Sequence, residues 1–226
     1  MTPLMLSSQK GDLAEVRACI EEDTTCIDMQ NGWRKATAMM YAVIYGHSQI
    51  VELLLEKGAS LDIQDNYGRT VLIRAVVQGH SPIVELLLEK GASPDIQDEY
   101  GMTALMRSVV LRHSRIVELL IEKGASLDIK DGYDGGTALM RAVIQGHSPI
   151  VELLIEKGAS LDIQDGDGMT ALTISQEKGN EEIVEYIMKK KVLNAEGRLV
   201  LAQAIKQGFK GLPYELGLYD QIQSHL

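Results

Sequence analysis

The chain has little of what secreted and membrane proteins require. Only two of its 226 residues are cysteines, Cys19 and Cys26, which is too few for a disulfide framework and favours reduced thiols in a reducing compartment. No stretch approaches the ~18 apolar residues of a membrane span, and the N-terminus lacks the basic flank and apolar run of a signal peptide. We therefore expect a cytoplasmic or other intracellular protein.

Basic charge and catalytic motifs are also scarce. The chain carries 22 Lys and Arg against 32 Asp and Glu, a formal net charge of −10, and it has no basic stripe with stacking aromatics. We therefore expect neither nucleic acid nor a membrane as a partner. The chain also lacks a glycine-rich phosphate loop, a Cys-x-x-Cys pair and a nucleophile elbow. The sequence predicts no enzymatic activity and no cofactor.

Repetition is what the chain has in abundance. The string Gly-Ala-Ser-(Leu/Pro)-Asp-Ile-(Gln/Lys)-Asp occurs four times, starting at Gly58, Gly91, Gly124 and Gly158. A second recurring string begins with a threonine in each of its copies. These threonines are 33 or 34 residues apart, at Thr37, Thr70, Thr103, Thr137 and Thr170. A period near ~33 residues is the signature of a solenoid, in which stacked units bury each other's apolar faces.

Residues 65–97 show how one unit begins. The segment Asp65–Gly68 has the composition of a tight turn. Leu72, Ala75 and Val76 then follow at i, i+3 and i+4, which is the apolar stripe of a short helix. Thr70 stands where a helix N-cap belongs, so we expect its side chain to start this helix.

A second helix completes the unit. Ser81 is expected to cap it, and Pro82 fits its first turn because no amide is needed there. Gly91 follows the last apolar residues and is expected to end the helix. Each unit therefore reads as turn, helix, turn, helix, which predicts an all-α protein.

The full repeat reads Gly-x-Thr-Ala-Leu-Met-x-Ala-Val-x-x-Gly-His-x-x-Ile-Val-Glu-Leu-Leu-(Leu/Ile)-Glu-Lys-Gly-Ala and resembles the ankyrin repeat. The resemblance implies an ankyrin-repeat solenoid of stacked helix-turn-helix units with β-turn or hairpin fingers, which binds another protein through a concave groove. Two departures are clear. The family's Thr-Pro-Leu-His reads Thr-Ala-Leu-Met or a variant of it, and Arg112 replaces the glycine found at Gly46, Gly79 and Gly146. A left-handed conformation there would strain the arginine.

Seven units are predicted along the chain. They are an N-terminal capping repeat at 1–31, ankyrin repeats at 32–64, 65–97, 98–130, 131–164 and 165–193, and a degenerate C-terminal capping repeat at 194–226. The end units differ from the middle ones because their outer faces meet water. We expect the array to be monomeric on its own.

The resemblance also implies where a partner binds, because the first-helix face and the finger tips line the groove in ankyrin repeats. One varying helix column that points away from the buried stripe is Leu6, Tyr41, Arg74, Arg107, Arg141 and Ile174. The predicted partner-binding residues are Trp33, Tyr45, Tyr67, Arg69, Arg74, Val77, Gln78, Tyr100, Met102, Arg107, Val110, Leu111, Tyr133, Arg141, Ile144 and Gln145. Aromatic residues and arginine are the types enriched at interface hot spots.

The three stacked arginines allow two interpretations. On an acidic protein they suggest a partner with an acidic or phosphorylated segment, since guanidinium groups bind such anions in pairs of hydrogen bonds. Alternatively, each arginine stacks on a finger tyrosine or pairs with a nearby aspartate and so holds the array together. A groove variant that combines Arg107→Glu with Tyr100→Ala is expected to lose its partner and keep its stability.

Two other columns have structural explanations. The histidines at the start of the second helices are one repeat, about 10 Å, apart, so they cannot share a metal ion and are expected to bond backbone between repeats. They are His47, His80, His113 and His147. A pair of glutamates recurs on the second helix of each of four repeats. A single acid–base site would not require this repetition, so the pairs indicate an outer face that is exposed to solvent. They are Glu52/Glu56, Glu85/Glu89, Glu118/Glu122 and Glu152/Glu156.

A second function class comes from the C-terminus. Residues 212–216, Leu-Pro-Tyr-Glu-Leu, resemble the opening of F-box-like helices, which recruit ubiquitin-ligase machinery. The pattern then departs from that family, because Asp220 and Ser224 stand where apolar residues are wanted. The alternatives are therefore a capping helix and an adaptor whose last residues bind a second protein.

Overall fold

The computed structural model describes residues 1–193, and within this range the chain is built from twelve α-helices and no strand. The helices are α1 Pro3–Lys10, α2 Leu13–Glu22, α3 Ala38–Ile44, α4 Ser48–Glu56, α5 Val71–Gln78, α6 Ser81–Glu89, α7 Ala104–Val110, α8 Ser114–Glu122, α9 Ala138–Ile144, α10 Ser148–Glu156, α11 Ala171–Glu177 and α12 Glu181–Leu193. A short 3₁₀ helix, Thr24–Cys26, follows α2. The expected capping repeat at 194–226 lies outside the described residues.

Threonines begin the first helix of each of the six units within residues 1–193. In α5 the hydroxyl oxygen of Thr70 accepts a hydrogen bond from the amide of Ile73 at 3.3 Å, which satisfies one of the amides that have no partner inside the helix. The same bond is made by Thr2, Thr37, Thr103, Thr137 and Thr170. The predicted N-caps of the first helices are therefore confirmed.

The second helices begin differently from the prediction. Ser81 is the first helical residue of α6, and the residue before it, His80, makes no side-chain cap. The prediction that Ser81 caps this helix is wrong because a side chain inside the helix is too far along to bond the free amides of the first turn. Pro82 does occupy the first turn, where its missing amide is harmless.

The helices stack in two layers with the core between them. α1, α3, α5, α7, α9 and α11 each pack on the next, while α2 packs on α4, α6 on α8 and α10 on α12. Leu72, Ala75 and Val76, the predicted stripe of α5, are buried, and the apolar cluster they belong to runs from Leu4 in α1 to Ile187 in α12. None of the helices in residues 1–193 is long and apolar enough to cross a membrane.

Side chains also tie each unit to the next. The carboxylate of Asp95 accepts a hydrogen bond from the backbone amide of Ser126 at 2.9 Å and another from its hydroxyl. The same aspartate-to-serine-amide bond joins Asp28 to Ser60, Asp62 to Ser93 and Asp128 to Ser160. The recurring Gly-Ala-Ser string therefore supplies a contact between repeats as well as a helix end.

Candidate partner-binding face

In the part of the chain that the structure describes, five tight turns connect the helix pairs, and we call them fingers 1 to 5. They cover residues 31–36, 65–69, 98–102, 131–136 and 165–169. Each is closed by a backbone hydrogen bond from its first amide to its last carbonyl, as from Asp98 to Met102 at 3.0 Å. Fingers 1 and 4 enclose one residue more than fingers 2, 3 and 5.

Neighbouring fingers are joined edge to edge. The amide of Glu99 donates to the carbonyl of Tyr67 at 2.9 Å, and that of Gly132 donates to the carbonyl of Tyr100 at 2.9 Å. The approach is so close at Gly101 that a Cβ atom would lie 2.1 Å from the nitrogen of Gly132, so only glycine fits there. The five fingers therefore form a continuous, ordered row.

A buried aspartate organises finger 3. The Oδ1 atom of Asp98 accepts from the amides of Tyr100 and Met102, at 3.0 and 3.1 Å. Its Oδ2 atom accepts from Nε of Arg107 at 2.7 Å and also from Nη2 of the same guanidinium. This guanidinium lies 5.4 Å from the centre of the Tyr100 ring. One carboxylate thus fixes the finger, the arginine of α7 and the tyrosine beside it.

Fingers 2 and 4 repeat the aspartate–arginine pair, and in finger 2 the guanidinium carbon of Arg74 also lies 5.9 Å from the centre of the Tyr67 ring. Asp65 pairs with Arg74, and Asp131 pairs with Arg141, which also binds Asp134. Burial raises the pKa of Asp131, but the hydrogen bond and charge of Arg141 and the amides of the finger outweigh this effect. The net result is a pKa below the ordinary value, so the carboxylate stays ionised.

Fingers 1 and 5 have different partners. In finger 1 the amide group of Asn31 donates to the hydroxyl of Tyr41 at 2.9 Å, a neutral pair in place of the ion pair. In finger 5 Asp165 binds two finger amides, and Ile174 occupies the place of the arginine. Tyr41 and Ile174 are both buried, so the prediction that they belong to the outward column is wrong. Tyr41 bonds the first residue of its finger, as Arg74 bonds Asp65 in finger 2.

The three arginines are therefore committed within the chain. Of the two interpretations of these residues, the contacts support pairing with aspartate for all three arginines, with stacking on tyrosine added for Arg74 and Arg107. In α5, α7 and α9 the arginine side chains are exposed by only 13, 18 and 16%. A partner's anion would have to compete with a buried carboxylate for each of them, and that carboxylate would lose its counter-ion.

The remaining predicted residues differ in their exposure. Trp33 and Tyr133 have 76 and 84% of their surface exposed, and Tyr100 has 51%. Tyr45, Tyr67, Gln78, Leu111 and Ile144 are also exposed, while Arg69, Val77, Met102, Val110 and Gln145 are partly buried. We call the sixteen predicted residues together the finger–helix face. All sixteen retain some exposure.

Sequence reasoning missed some members of this surface. Arg34 lies with its guanidinium 5.1 Å from the ring centre of Trp33, and Gln9 donates to the hydroxyl of Tyr45 at 2.9 Å. The position of Arg34 beside the only tryptophan of the chain was a signal that could have identified it. Gln9 gave none, because its contact joins residues of two different units.

The histidines lie between units, and the ring of His47 stacks on the face residue Tyr45 with 6.4 Å between ring centres. Nε2 of His47 is 3.2 Å from the carbonyl of Gln9 in the preceding unit. The rings of His80 and His113 lie against Gly46 and Gly79, where an added Cβ would be 3.2 Å from the ring. In residues 1–193 no three His, Cys, Asp or Glu side chains are placed to hold a metal ion.

The two cysteines lie in the first unit. Burial and then the charge of Glu15 raise the pKa of Cys19, and burial and then Asp23 raise the pKa of Cys26. A raised pKa lowers the thiolate fraction, which makes both thiols weak nucleophiles at neutral pH.

The sequence matches a family model described as ankyrin repeats in three copies. The matches cover residues 1–65, 57–131, 90–165 and 139–214. Among curated proteins, the human NAD-capped RNA hydrolase NUDT12 (Homo sapiens) is 35% identical over 74 residues, which is 32% of this chain and 15% of NUDT12. The matched stretch is therefore a small part of that relative.

Two solved structures share the fold over most of the chain. The ankyrin repeat domain of Bcl-3, a member of the IkappaB protein family, has 27% sequence identity and a TM-score of 0.79, with 84% of this chain and 86% of that chain covered. A chain from the complex of the Bd0816 predatory endopeptidase of Bdellovibrio bacteriovorus with the immunity protein Bd3460 has 29% identity and a TM-score of 0.72. That match covers 84% of this chain and 98% of the other.

Proposed function

The chain belongs to the ankyrin-repeat family, and from this premise we propose that it is a non-enzymatic scaffold that binds a partner protein through its finger–helix face. The observation that carries the proposal is the row of exposed aromatic side chains held on fixed turns. Tyr67, Tyr100 and Tyr133 each follow an aspartate whose carboxylate binds the tyrosine's own backbone amide. The finger backbone is thus set before any partner arrives.

Preorganisation supports a binding role on energetic grounds. Association is opposed by the loss of backbone and side-chain freedom at the interface. The fingers are already fixed by carboxylate, backbone and inter-finger hydrogen bonds, so little backbone freedom remains to be lost. Rigid aromatic side chains can then contribute most of their buried area to affinity.

The chemistry of the face favours a partner with apolar side chains. Tyr100, Leu111 and Ile144 are exposed, and Val77 and Val110 lie between the arginine positions of the first helices. The acidic or phosphorylated segment expected from the arginine column is not favoured, because those guanidinium groups already bind aspartates. The arginines are better described as positioning residues for the fingers.

The comparisons agree with an interaction role at the level of the family. The Bd0816 structure is a complex of two proteins, and a chain of it has this fold. The hydrolase activity of NUDT12 is not carried over, because the similarity covers 15% of that protein. The F-box-like alternative rests on residues 212–226, which lie outside the described residues, and nothing in residues 1–193 favours it.

The proposal is tested by removing apolar surface without touching the ion pairs. Arg107→Glu is not a suitable probe, because it would place a second carboxylate beside the buried Asp98 and destabilise finger 3. Tyr100→Ala with Leu111→Ala removes two exposed side chains instead. We expect this variant to keep its fold and to lose partner capture from a cell lysate by about thirtyfold or more, as for truncation of hot-spot residues.

The matched control lies on the opposite surface. Glu52→Ala with Glu85→Ala truncates two exposed side chains of the second helices, and we expect it to retain capture. Equal capture by the folded face variant and the control would contradict the proposed surface. Circular dichroism and thermal melting of both variants establish that they fold.

A further inference from the structure

The charges left outside ion pairs are sorted by sign along the finger row. Finger 1 carries Arg34 and Lys35, and finger 2 carries Arg69. Among residues 1–193 none of these three cations lies within ion-pair distance of a carboxylate. The N-terminal end of the row therefore presents uncompensated positive charge, although the chain as a whole is acidic.

The other end of the row is negative. Finger 3 presents the exposed Glu99. In finger 4 two carboxylates, Asp131 and Asp134, share the one guanidinium of Arg141, and finger 5 has Asp165 and Asp167 with no arginine in the column. In fingers 2 and 3 the charges of the paired aspartate and arginine cancel each other. The exception to the order is Lys130, which precedes finger 4.

At the positive end of the row, the Nε–H group of Arg69 has no hydrogen-bond acceptor among the described residues. Its guanidinium carbon lies 5.3 Å from the centre of the Tyr67 ring, and its Nε atom is buried without a hydrogen-bond partner. Arg74, nearby on α5, has both Nε and Nη2 bound to Asp65. A buried donor that lacks an acceptor is costly, so an incoming carboxylate that draws this side chain outward would relieve it.

The two ends of the row are held at a fixed separation. Backbone hydrogen bonds join finger 1 to finger 2, from Asn66 to Arg34 at 2.9 Å, and finger 4 to finger 5, from Gly166 to Asp134 at 2.7 Å. At about 10 Å per unit, the spacing of packed helices, the row is about 40 Å long. An extended segment of about 12 residues spans that distance.

We propose that the segment bound along the fingers is bipolar, with an acidic end over fingers 1 and 2, an apolar centre over Tyr67 and Tyr100, and a basic end over fingers 4 and 5. This inference rests on the proposed function and deepens it. A uniformly acidic segment would meet repulsion from finger 3 onward, and a uniformly basic one would meet it at fingers 1 and 2. Only the bipolar order is complementary along the whole row, and it fixes the direction of the segment.

The direction is measured with the single tryptophan of the chain. Trp33 lies in finger 1, and its side chain is exposed, so a nitroxide that reaches finger 1 quenches its fluorescence. The probe is a 12-residue peptide of three glutamates, six apolar or neutral residues and three lysines, labelled with a nitroxide at either end. We expect quenching from the acidic-end label and none from the basic-end label. Equal quenching from both ends, or quenching from the basic end, would overturn the proposal.

Affinity gives a second readout. We expect the bipolar peptide to bind about fivefold more tightly than all-glutamate or all-lysine versions of the same peptide, and the difference to shrink in high salt. Equal affinity of the three peptides would also overturn the proposal. If face-dependent capture of a partner protein persists in that case, the proposed function stands and only the bipolar order fails.

Charge-swap variants complete the test. Arg34→Glu with Arg69→Glu removes the cations that attract the acidic end of the peptide, and Glu99→Lys with Asp167→Lys removes carboxylates that attract its basic end. We expect each pair of changes to lower the affinity for the bipolar peptide by about threefold to tenfold. The four changes together leave fingers 1 and 2 and fingers 4 and 5 each with a net charge of −1, because Lys35, Asp134 and Asp165 remain. The preferred direction should then be lost, so that the labels at the two ends quench Trp33 equally. The control is Glu52→Lys with Glu85→Lys on the second helices, which we expect to change affinity less than twofold.

A second copy of this chain is the competing occupant. Two finger rows aligned antiparallel by a two-fold axis would also bring opposite charges together. Sedimentation velocity of the unmodified chain distinguishes the two cases. A monomer at micromolar concentration supports the bipolar segment, and a dimer that is lost in either end variant would replace it with self-association.

Discussion

Arg107 on α7 donates from Nε at 2.7 Å, and also from Nη2, to the Oδ2 atom of Asp98, a side chain with no exposed surface. The same carboxylate receives the finger amides on its other oxygen. The arginine therefore neutralises the Asp98 carboxylate, which the finger requires for its two amide hydrogen bonds. From the sequence alone, an arginine at this position was open to a second interpretation, as a group that binds an anion of the partner. The contacts of Arg74, Arg107 and Arg141 thus tie the first helices to fingers 2, 3 and 4.

Removal of the arginine tests this role. Arg107→Ala leaves the buried carboxylate of Asp98 without its counter-ion, and we expect it to lower the free energy of unfolding by about 3 kcal/mol. The control is Arg115→Ala, which breaks an exposed pair with Glu118 and should cost about 0.5 kcal/mol. Urea denaturation of both variants gives the two values. Similar small losses would mean that the Asp98 pair is not required.

The ion pair of finger 4 can be replaced by the neutral amide–hydroxyl pair of finger 1. Asp131 and Arg141 are ten residues apart, as are Asn31 and Tyr41. We expect Asp131→Asn and Arg141→Tyr to destabilise the chain singly, and the double variant to recover about 1 kcal/mol through the new amide-to-hydroxyl bond. Denaturation of the four proteins of this cycle measures the coupling. Strict additivity would contradict the proposed equivalence of the two fingers.

The same ion pair makes stability depend on pH. Because the pKa of Asp131 is lower in the folded chain than its ordinary value of 3.8, its contribution is fully present above about pH 4 and is lost as the pH falls further. The Asp131→Asn and Arg141→Tyr double variant lacks this group. We therefore expect a smaller loss of stability for it than for the parent between about pH 4 and pH 2. Parallel slopes in acid denaturation would contradict the role of Asp131.

Arg112 carries backbone strain. Its φ of +59° is left-handed, the conformation that Gly46, Gly79 and Gly146 adopt at the same place in other units. We expect Arg112→Gly to raise the stability by about 1 kcal/mol, partly offset by the lost bond to the carbonyl of Gln145. Gly79→Ala is the inverse change and should destabilise, since its Cβ would be 3.2 Å from the His113 ring. Thermal melting of both variants would show opposite shifts.

Much of the fold follows from local patterns in the sequence. The buried stripe of α5 depends only on helical spacing, which places Leu72, Ala75 and Val76 on one face. The cap depends only on the reach of the Thr70 side chain. Both can be recognised within ten residues of sequence. The left-handed Arg112 was predictable because a solenoid repeats its backbone, so the glycines of other units report on it. Periodicity made these expectations strong.

The site was less predictable because its contacts are made in three dimensions. The wheel position of Tyr41 is the same as that of Arg74, yet Tyr41 is buried by a bond to Asn31 that depends on how finger 1 folds. Pairing of the arginines with aspartates could be named from the sequence only as one of two alternatives. The choice depends on the direction of each guanidinium, which is set by the finger and the helix together.

The measurement that tests the central claim most directly is site-specific photocrosslinking to a captured partner. A photoreactive phenylalanine is placed at Tyr100 or Leu111 on the finger–helix face, and at Glu52 or Glu85 on the second helices. We predict covalent adducts with the partner from the two face positions and none from the two outer positions. Adducts formed only from the outer positions would contradict a partner-binding role of the finger–helix face.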